Sequence, residues 1–415
     1  MRGNMIKKKS ERGKLSGLFD YLVLLSAVVV SGTPLNTLYY TETVVFYFII
    51  TFMYFCRKKI HTNFTMQKKT TVCLLLIIVL MFTTAIINFD ADIAYYFGIM
   101  LLFISSFFII ETMNYNVFCS RFIKLFVVIS VYSVIFTIVL NLFNQVVNIM
   151  PLIYVNGNVN ASWRTWGFIY NVWDIYARFS LIRNSACFRE PGVFGCFVSI
   201  AVILKLIQIK NNSTKKKNDI FELIVLVIAV LSTFSTTAYI SIFFILLLFV
   251  LNNKQEKKHI IAFLLLTIII SILLYNFSDL LFDKFDKNNT SFSSLYDRIA
   301  GMDQSITCWL NSPAFGVGMT KYFETVTEGV NAISFLYVLG EFGLIMLLIF
   351  LHMFLCWIQQ TNFAFISKVI LFAEIVLILN TQNIIFMPLI ILIMFYGIKH
   401  NSNESDSNHV QVQEQ

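Results

Sequence analysis

Long apolar runs, separated by short segments that hold the charges, leave this chain few ways to fold other than across a lipid bilayer. Of its residues 58% are hydrophobic and only 13% charged, and the apolar ones are contiguous rather than spread one face at a time. We read twelve helices, at about 18–35, 38–55, 71–88, 94–110, 122–147, 191–209, 219–234, 237–252, 259–277, 333–356, 364–380 and 383–398. Each is about long enough to cross a hydrocarbon core of roughly 30 Å, the shortest only marginally. The expected fold is an all-α polytopic integral membrane protein with about twelve transmembrane helices. A cytoplasmic segment 1–17 precedes the membrane domain 18–398, and a polar, disordered cytoplasmic tail 399–415 follows it.

Orientation follows from the basic residues. Starting inside and alternating puts 23 of the 31 Lys and Arg in the inner segments. They include the runs Lys7–Lys9, Arg57–Lys59, Lys215–Lys217 and Lys257–Lys258. The positive-inside rule then sets both termini in the cytoplasm of a multi-pass plasma-membrane protein. The net charge of +8 reports this orientation and attraction to anionic lipid, not affinity for nucleic acid. The first apolar run follows a basic stretch without a small-residue cleavage site, and reads as a retained anchor. The inner loops are too short for a nucleotide-binding domain, and no glycine-rich phosphate loop occurs. The seven Cys show no metal-ligand spacing.

The eight exceptions point to the chemistry: Arg164, Arg178, Arg183, Arg189, Lys284, Lys287, Arg298 and Lys321 fall outside. Five of the eight are Arg, whose planar fork suits phosphate and carboxylate, whereas Lys suffices for topology. All eight lie in two long outer loops, about 148–190 and 278–330, of the kind that carry function. In the first, Trp163, Trp166, Tyr170 and Trp173 recur at helical spacing after Ser162, a plausible N-cap. That helix would either anchor its rings at head-group level or offer a platform for sugar stacking. The loop ends at Arg189-Glu190-Pro191-Gly192, and Pro191 suits a first helical turn. Arg189 beside a helix N-terminus would make a phosphate or pyrophosphate site, unless Arg189 and Glu190 merely pair at the membrane boundary.

In the second loop, Phe292, Leu295, Ile299, Met302, Ile306 and Trp309 form the stripe of an amphipathic helix lying on the outer membrane face. Arg298 flanks this stripe, where it either serves the site or snorkels to the head groups. The turn containing Gly316 and Gly318 would let backbone approach a ligand. Cys187 and Cys308 lie in the two loops, and would pair if the loops meet or otherwise stand as free thiols. Glu341, one or two turns into a membrane helix, requires a partner such as an Arg, or has a catalytic use. Asp90 and Asp92 in a short outer turn resemble the acidic pair of metal-dependent membrane glycosyltransferases, although topology alone accounts for two acids there.

Several of these segments together resemble the O-antigen polymerase and ligase superfamily of bacterial surface-polysaccharide assembly. They are FREPGVFG (188–195), STFSTTAYIS (232–241), Arg298…Trp309…Pro313…Gly316-Val-Gly318 and NAISFLYVLGEFG (331–343). The likeness covers roughly 180–345. It implies glycosyl transfer between undecaprenyl-pyrophosphate-linked oligosaccharides on the outer face of the plasma membrane. It implies catalytic roles for Arg189 and Arg298, and substrate contacts at Arg178 and Arg183. Trp163, Trp166, Trp173, Gly316 and Gly318 would complete the substrate site, with Glu190, Asp297 and Glu341 as candidate general bases. Pyrophosphate is already a good leaving group, so the expected chemistry calls for no metal or cofactor. Membrane lipids, a flippase and a chain-length regulator are the partners implied. The superfamily's ligases carry a His in the second loop; here Val330-Asn331 matches that position, which favours a polymerase.

Overall fold

The computed structural model describes residues 17–61, 66–143, 145–155, 158–173, 181–211, 217–252, 293–325 and 334–399. The chain is mostly helical. The first half holds α1 (Gly17–Val30), α2 (Pro34–Leu38), α3 (Tyr40–His61), α4 (Lys68–Ile87), α5 (Ile93–Thr112), α6 (Tyr115–Leu142) and α7 (Gln145–Ile149). Three strands follow: β1 (Leu152–Val155), β2 (Asn158–Trp166) and β3 (Tyr170–Trp173). The second half holds α8 (Pro191–Asn211), α9 (Lys217–Ser232), α10 (Thr236–Asn252), α11 (Ser293–Asn311), α12 (Met319–Thr325), α13 (Ser334–Gln359), α14 (Phe365–Leu379) and α15 (Pro388–Lys399). Helices stand at eleven of the twelve expected positions; the expected 259–277 helix lies outside the described residues. The helix expected from 122 begins at Tyr115 and ends at Leu142. Among the described helices, α4, α5, α6, α8 and α13 are long and apolar enough to cross a membrane.

Polar side chains sort the helix ends into two groups. At one end Tyr54 donates to Asp20 at 2.7 Å, Arg121 faces Asp20 at 3.9 Å, and Lys205 reaches Asp219 at 2.8 Å and Glu222 at 2.5 Å. Here too the Glu111 carboxylate accepts from the Gln67 N–H, closing the start of α4. At the opposite end the Arg189 N–H donates to the Gly32 carbonyl at 2.9 Å, and Asn88 donates to the Gly316 carbonyl at 3.1 Å. At the centre α8, mostly apolar, is buried at nearly every position from Pro191 to Ile207 against α6, α9 and α10. Apolar side chains on the outer faces, such as Phe46, Leu75, Val79 and Val128, are exposed, which suits contact with lipid tails.

One expected helix is a sheet. The Trp-rich segment forms a three-stranded antiparallel sheet of order β1-β2-β3, in which Trp163 pairs with Trp173 and Trp166 with Tyr170. Side chains alternate along a strand, so Trp163 and Trp166, three apart, lie on opposite faces rather than on one. The β2–β3 connection turns through Gly167 and Phe168, both with φ of 60°. A helix cannot hold such a pair of residues, and the β-branched and aromatic character of 152–173 favours strands.

Candidate active site

The loop 181–190 is threaded between the sheet and the helical body. Asn141 of α6 clamps Ile182 by both backbone groups, at 2.8 and 2.9 Å. Asn184 donates to Ser133 and Ser232, and its own N–H bonds the Ser232 carbonyl at 3.0 Å. The Asn171 N–H of β3 bonds the Ala186 carbonyl at 2.7 Å, and the Phe188 ring stacks among Phe126, Phe194 and Phe197. These contacts deliver Arg189 to the N-terminus of α8, whose first-turn N–H groups lack intrahelical acceptors. The Trp163 indole donates to the Arg189 carbonyl at 2.8 Å.

The Arg189 side chain itself is lightly engaged. Its Nε lies 3.8 Å from Glu190, beyond hydrogen-bond reach, and is buried without a hydrogen-bond partner among the described residues. Glu190 in turn meets the Gln382 amide at 3.5 Å. Arg183 is held differently: its Nε donates to the Thr233 carbonyl at 3.0 Å, closing the α9–α10 turn where Phe234 sits at a φ of 46°. Of the aromatic residues, Trp163 is buried as a prop for Arg189, Trp173 is half-buried opposite it, and Trp166 is exposed on the other sheet face. Arg178 lies outside the described residues. The backbone of Arg298 lies in α11, but its side chain, like that of Asp297, is outside the described residues.

The second loop folds back onto α13, which is broken at Gly343 (φ 81°, ψ −178°). Segment 313–318 is stitched to both sides of the break. The N–H groups of Val317 and Gly318 donate to the carbonyls of Gly340 and Glu341, each at 3.0 Å. The N–H groups of Leu344 and Ile345 donate to the carbonyls of Pro313 and Ala314, at 2.9 and 3.4 Å. A broken membrane helix needs such partners, because lipid supplies none. Thr84 of α4 and Asn88 just after it secure the same segment through the carbonyls of Phe315 and Gly316. The close approach expected at Gly316 and Gly318 is therefore to α13 of the same chain and to the side chain of Asp90.

Asp90 and Asp92 act as caps. Asp92 accepts from the Tyr95 N–H at the start of α5. Asp90 accepts from the Thr320 N–H and hydroxyl at the start of α12, and from Tyr96 at 2.8 Å. Burial alone would push the Asp90 carboxyl up, but the hydrogen bonds from Thr320, Tyr96 and Asp92 hold it below the ordinary carboxylate value. Glu341 is fully buried and meets no Arg among the described residues; Tyr95 donates to its Oε2 at 3.3 Å, and the Tyr95 and Tyr337 hydroxyls are in close contact. Ser334, Tyr337 and Glu341 stand at i, i+3 and i+7 along α13, on one face. Ser334 donates to the Gln382 carbonyl at 2.5 Å, so the α13 end that carries Glu341 shares a scaffold with Glu190.

Helix α11 packs on α13 through Gly301, Ser305 and Cys308, with Ser305 bonded to Tyr322 at 2.7 Å. Its Ile299, Met302, Ile306 and Leu310 are exposed, as an amphipathic helix at a membrane surface requires. The pairing of Cys187 with Cys308 does not occur: both are free thiols, and burial pushes the Cys187 thiol up to about 12. Sequence reading missed Gln382, Ser334 and Tyr95, whose roles rest on contacts far apart in the chain.

A mostly helical, multi-pass membrane protein with an Arg at a helix N-terminus and a second loop docked on a broken helix is thus defined. Residues 221–351 match the family model described as O-Antigen ligase, a span that contains α10 to α12 and the broken part of α13. The resemblance to the O-antigen polymerase and ligase superfamily is therefore shown over this stretch, and it supports a role in polysaccharide biosynthesis at a membrane. Arg189 and the sheet lie before the match. No curated protein matches the chain.

Proposed function

We propose that this protein is a repeat-unit polymerase for a surface polysaccharide, working at the outer face of the plasma membrane. It transfers a growing glycan from an undecaprenyl-pyrophosphate carrier to the sugar of a lipid-linked repeat unit. The observation that supports this most directly is the Arg189 guanidinium at the N-terminus of α8, whose Nε has no hydrogen-bond partner among the described residues and whose ion pair to Glu190 is long at 3.8 Å. Backbone N–H groups, the helix dipole and a planar fork together suit a pyrophosphate whose charge grows as the glycosidic bond breaks. Glu190 is the better placed base, because its side chain is 24% exposed whereas Glu341 is fully buried. It takes the acceptor hydroxyl proton while Arg189 holds the leaving group. Glu341 then serves to hold α13 and the docked loop. Trp166 offers an exposed ring face to sugar, and Arg178, Arg183 and Arg298 add positive charge. A flippase that delivers the repeat unit and a chain-length regulator are the partners this reading requires.

The description of the matched family favours a second reading, transfer of finished polymer to a separate acceptor. Complementation of a deletion strain with Arg189→Ala and Arg189→Lys separates the two. Polymerase function predicts loss of long polymer with single lipid-linked repeats still made, and at most partial rescue by Lys, which lacks the fork. Carrier-linked long polymer that is made but not transferred would instead identify the ligase. Normal polymer from Arg189→Ala at wild-type expression would sink the pyrophosphate site.

A further inference from the structure

The side chain of Gln382, from the segment between α14 and α15, lies against the first turn of α8. A Cβ built on Gly192 would stand 2.5 Å from its Nε2, so the amide occupies space that any residue other than glycine would fill. The Gln382 backbone is fixed separately. Its carbonyl accepts from the Ser334 hydroxyl at 2.5 Å, and that hydroxyl accepts from the Ile384 N–H at 2.9 Å. Held this way, the half-buried amide donates to Glu190 Oε2 at 3.5 Å. Arg189 Nε faces the other carboxylate oxygen, Oε1, at 3.8 Å.

Glu190 thus stands between a neutral donor and a charged one. A charge-assisted hydrogen bond is roughly twice as strong as a neutral one, so without the amide the carboxylate would close on Arg189. That closure would occupy both groups at once: the guanidinium that meets the pyrophosphate and the carboxylate that takes the acceptor proton. Both contacts are long, as catalytic contacts commonly are until substrate tightens them, and a weak donor is enough to tip the balance.

We propose that Gln382 is a positioning residue for glycan transfer, its side-chain amide holding the Glu190 carboxylate off Arg189. Gly192 belongs to the same device, because its missing side chain leaves the amide room. The role rests on the reading of Arg189 and Glu190 as the transfer site.

The test is the rate of chain extension by the purified full chain in nanodiscs, with thermal unfolding of every variant. The substrate is the undecaprenyl-pyrophosphate-linked repeat unit extracted from a strain deleted for this protein. Gln382→Ala and Gly192→Ala should each lower kcat about tenfold and leave KM within about twofold, because the misplaced groups act on charge that develops in the transition state. Both should keep the wild-type Tm: Nε2 ends a flexible side chain that can swing aside, and Ala suits a helical turn at least as well as Gly. Should Gly192→Ala lose Tm, Gln382→Ala decides alone, since the bonds to Ser334 use the backbone. Adding Gly192→Ala to Gln382→Ala should cost no further rate, the amide having gone; losses that multiply would mean that the methyl obstructs substrate directly, and would overturn the role. A wild-type kcat in Gln382→Ala overturns it too, as does a loss carried entirely by KM. Arg189→Ala is the control. If it is slow while Gln382→Ala is not, Gln382 alone is rejected; if Arg189→Ala runs at the wild-type rate, the transfer site is rejected and the positioning role with it.

Discussion

At the scale of single residues, Gly316 and Asp90 hold the second loop to the body, and each makes a measurable claim. Gly316 has a φ of 68°, and a Cβ there would strike the backbone of Glu341. Left-handed strain alone costs a non-glycine residue about 1–2 kcal/mol. Gly167 has a φ of 60° but open space around it, so Gly167→Ala should lose that much and no more. Gly316→Ala must also lift segment 313–318 from α13, where four backbone hydrogen bonds are at stake, each worth about 1 kcal/mol. Thermal unfolding in detergent should therefore rank Gly316→Ala well below Gly167→Ala; equal Tm values would show that the loop is not docked. Asp90 makes a claim about pH. Its carboxyl is held below the ordinary value of 3.8 by Thr320, Tyr96 and Asp92, against the upward push of burial. The folded state thus binds fewer protons there than the unfolded chain. Its stabilisation is complete above the unfolded value and is lost as pH falls through the folded one. The Tm of the wild type should fall more steeply than that of Asp90→Asn as pH drops below about 4, and parallel curves would remove Asp90 from the acid response.

At the scale of elements, the membrane helices were legible because each is a long apolar run bounded by charge, a pattern that survives without knowledge of neighbours. The sheet was not. Trp163, Trp166, Tyr170 and Trp173 carry helical spacing, yet Gly167 and the alternation of Val, Thr and aromatic residues around it were the signals that decide for strands. Arg189 was legible as an Arg before Pro191 at a helix start. Its prop by Trp163, the capping of α12 by Asp90 from 230 residues away, and the pairing of Glu341 with tyrosines were not. Those contacts are set by how the helices stack, which no local pattern encodes. Among the described residues, four that are not glycine sit at positive φ: Phe89, Phe168, Ala186 and Phe234. Phe89 precedes the Asp90 cap, Ala186 lies three residues before Arg189, and Phe234 is in the turn that Arg183 closes. Strain concentrated this way marks a region whose conformation is set by its surroundings. The sheet's contribution is testable through its two tryptophans. Trp163→Phe keeps the apolar bulk but leaves the Arg189 carbonyl unpaired, at roughly 1–3 kcal/mol. Polymer yield should fall with it, whereas Trp166→Phe, on the exposed face, should leave stability within about 0.5 kcal/mol of wild type. Equal effects of the two on Tm would mean that the sheet does not position Arg189.

At the scale of the whole molecule, two long loops must serve one reaction, and this is the strongest consequence of the proposed function. The contacts divide helix ends into two groups, and the Arg189 loop, the Asp90 turn and the docked 313–318 segment all belong to one of them. Labelling of single cysteines in intact cells should accordingly reach 160–173 and 310–325 and spare 57–61 and 253–258; the reverse pattern would invert the site. The loops also share α13, since Ser334 and Gln382 tie it to Glu190 while α11 packs along it. Arg298 stands seven residues before Ser305 in the same helix, α11. If Arg189 and Arg298 grip the same pyrophosphate, their losses cannot add. Each single alanine variant removes the shared transition-state contact, so the double variant should be little slower than the worse single one. If the two act at separate steps or on separate ligands, the fold-losses multiply. The measurement is the rate of chain extension from a defined lipid-linked repeat unit in nanodiscs, with all three variants at matched amounts. A double variant whose loss equals the product of the single losses would reject the single-site mechanism, even if each Arg alone proves essential.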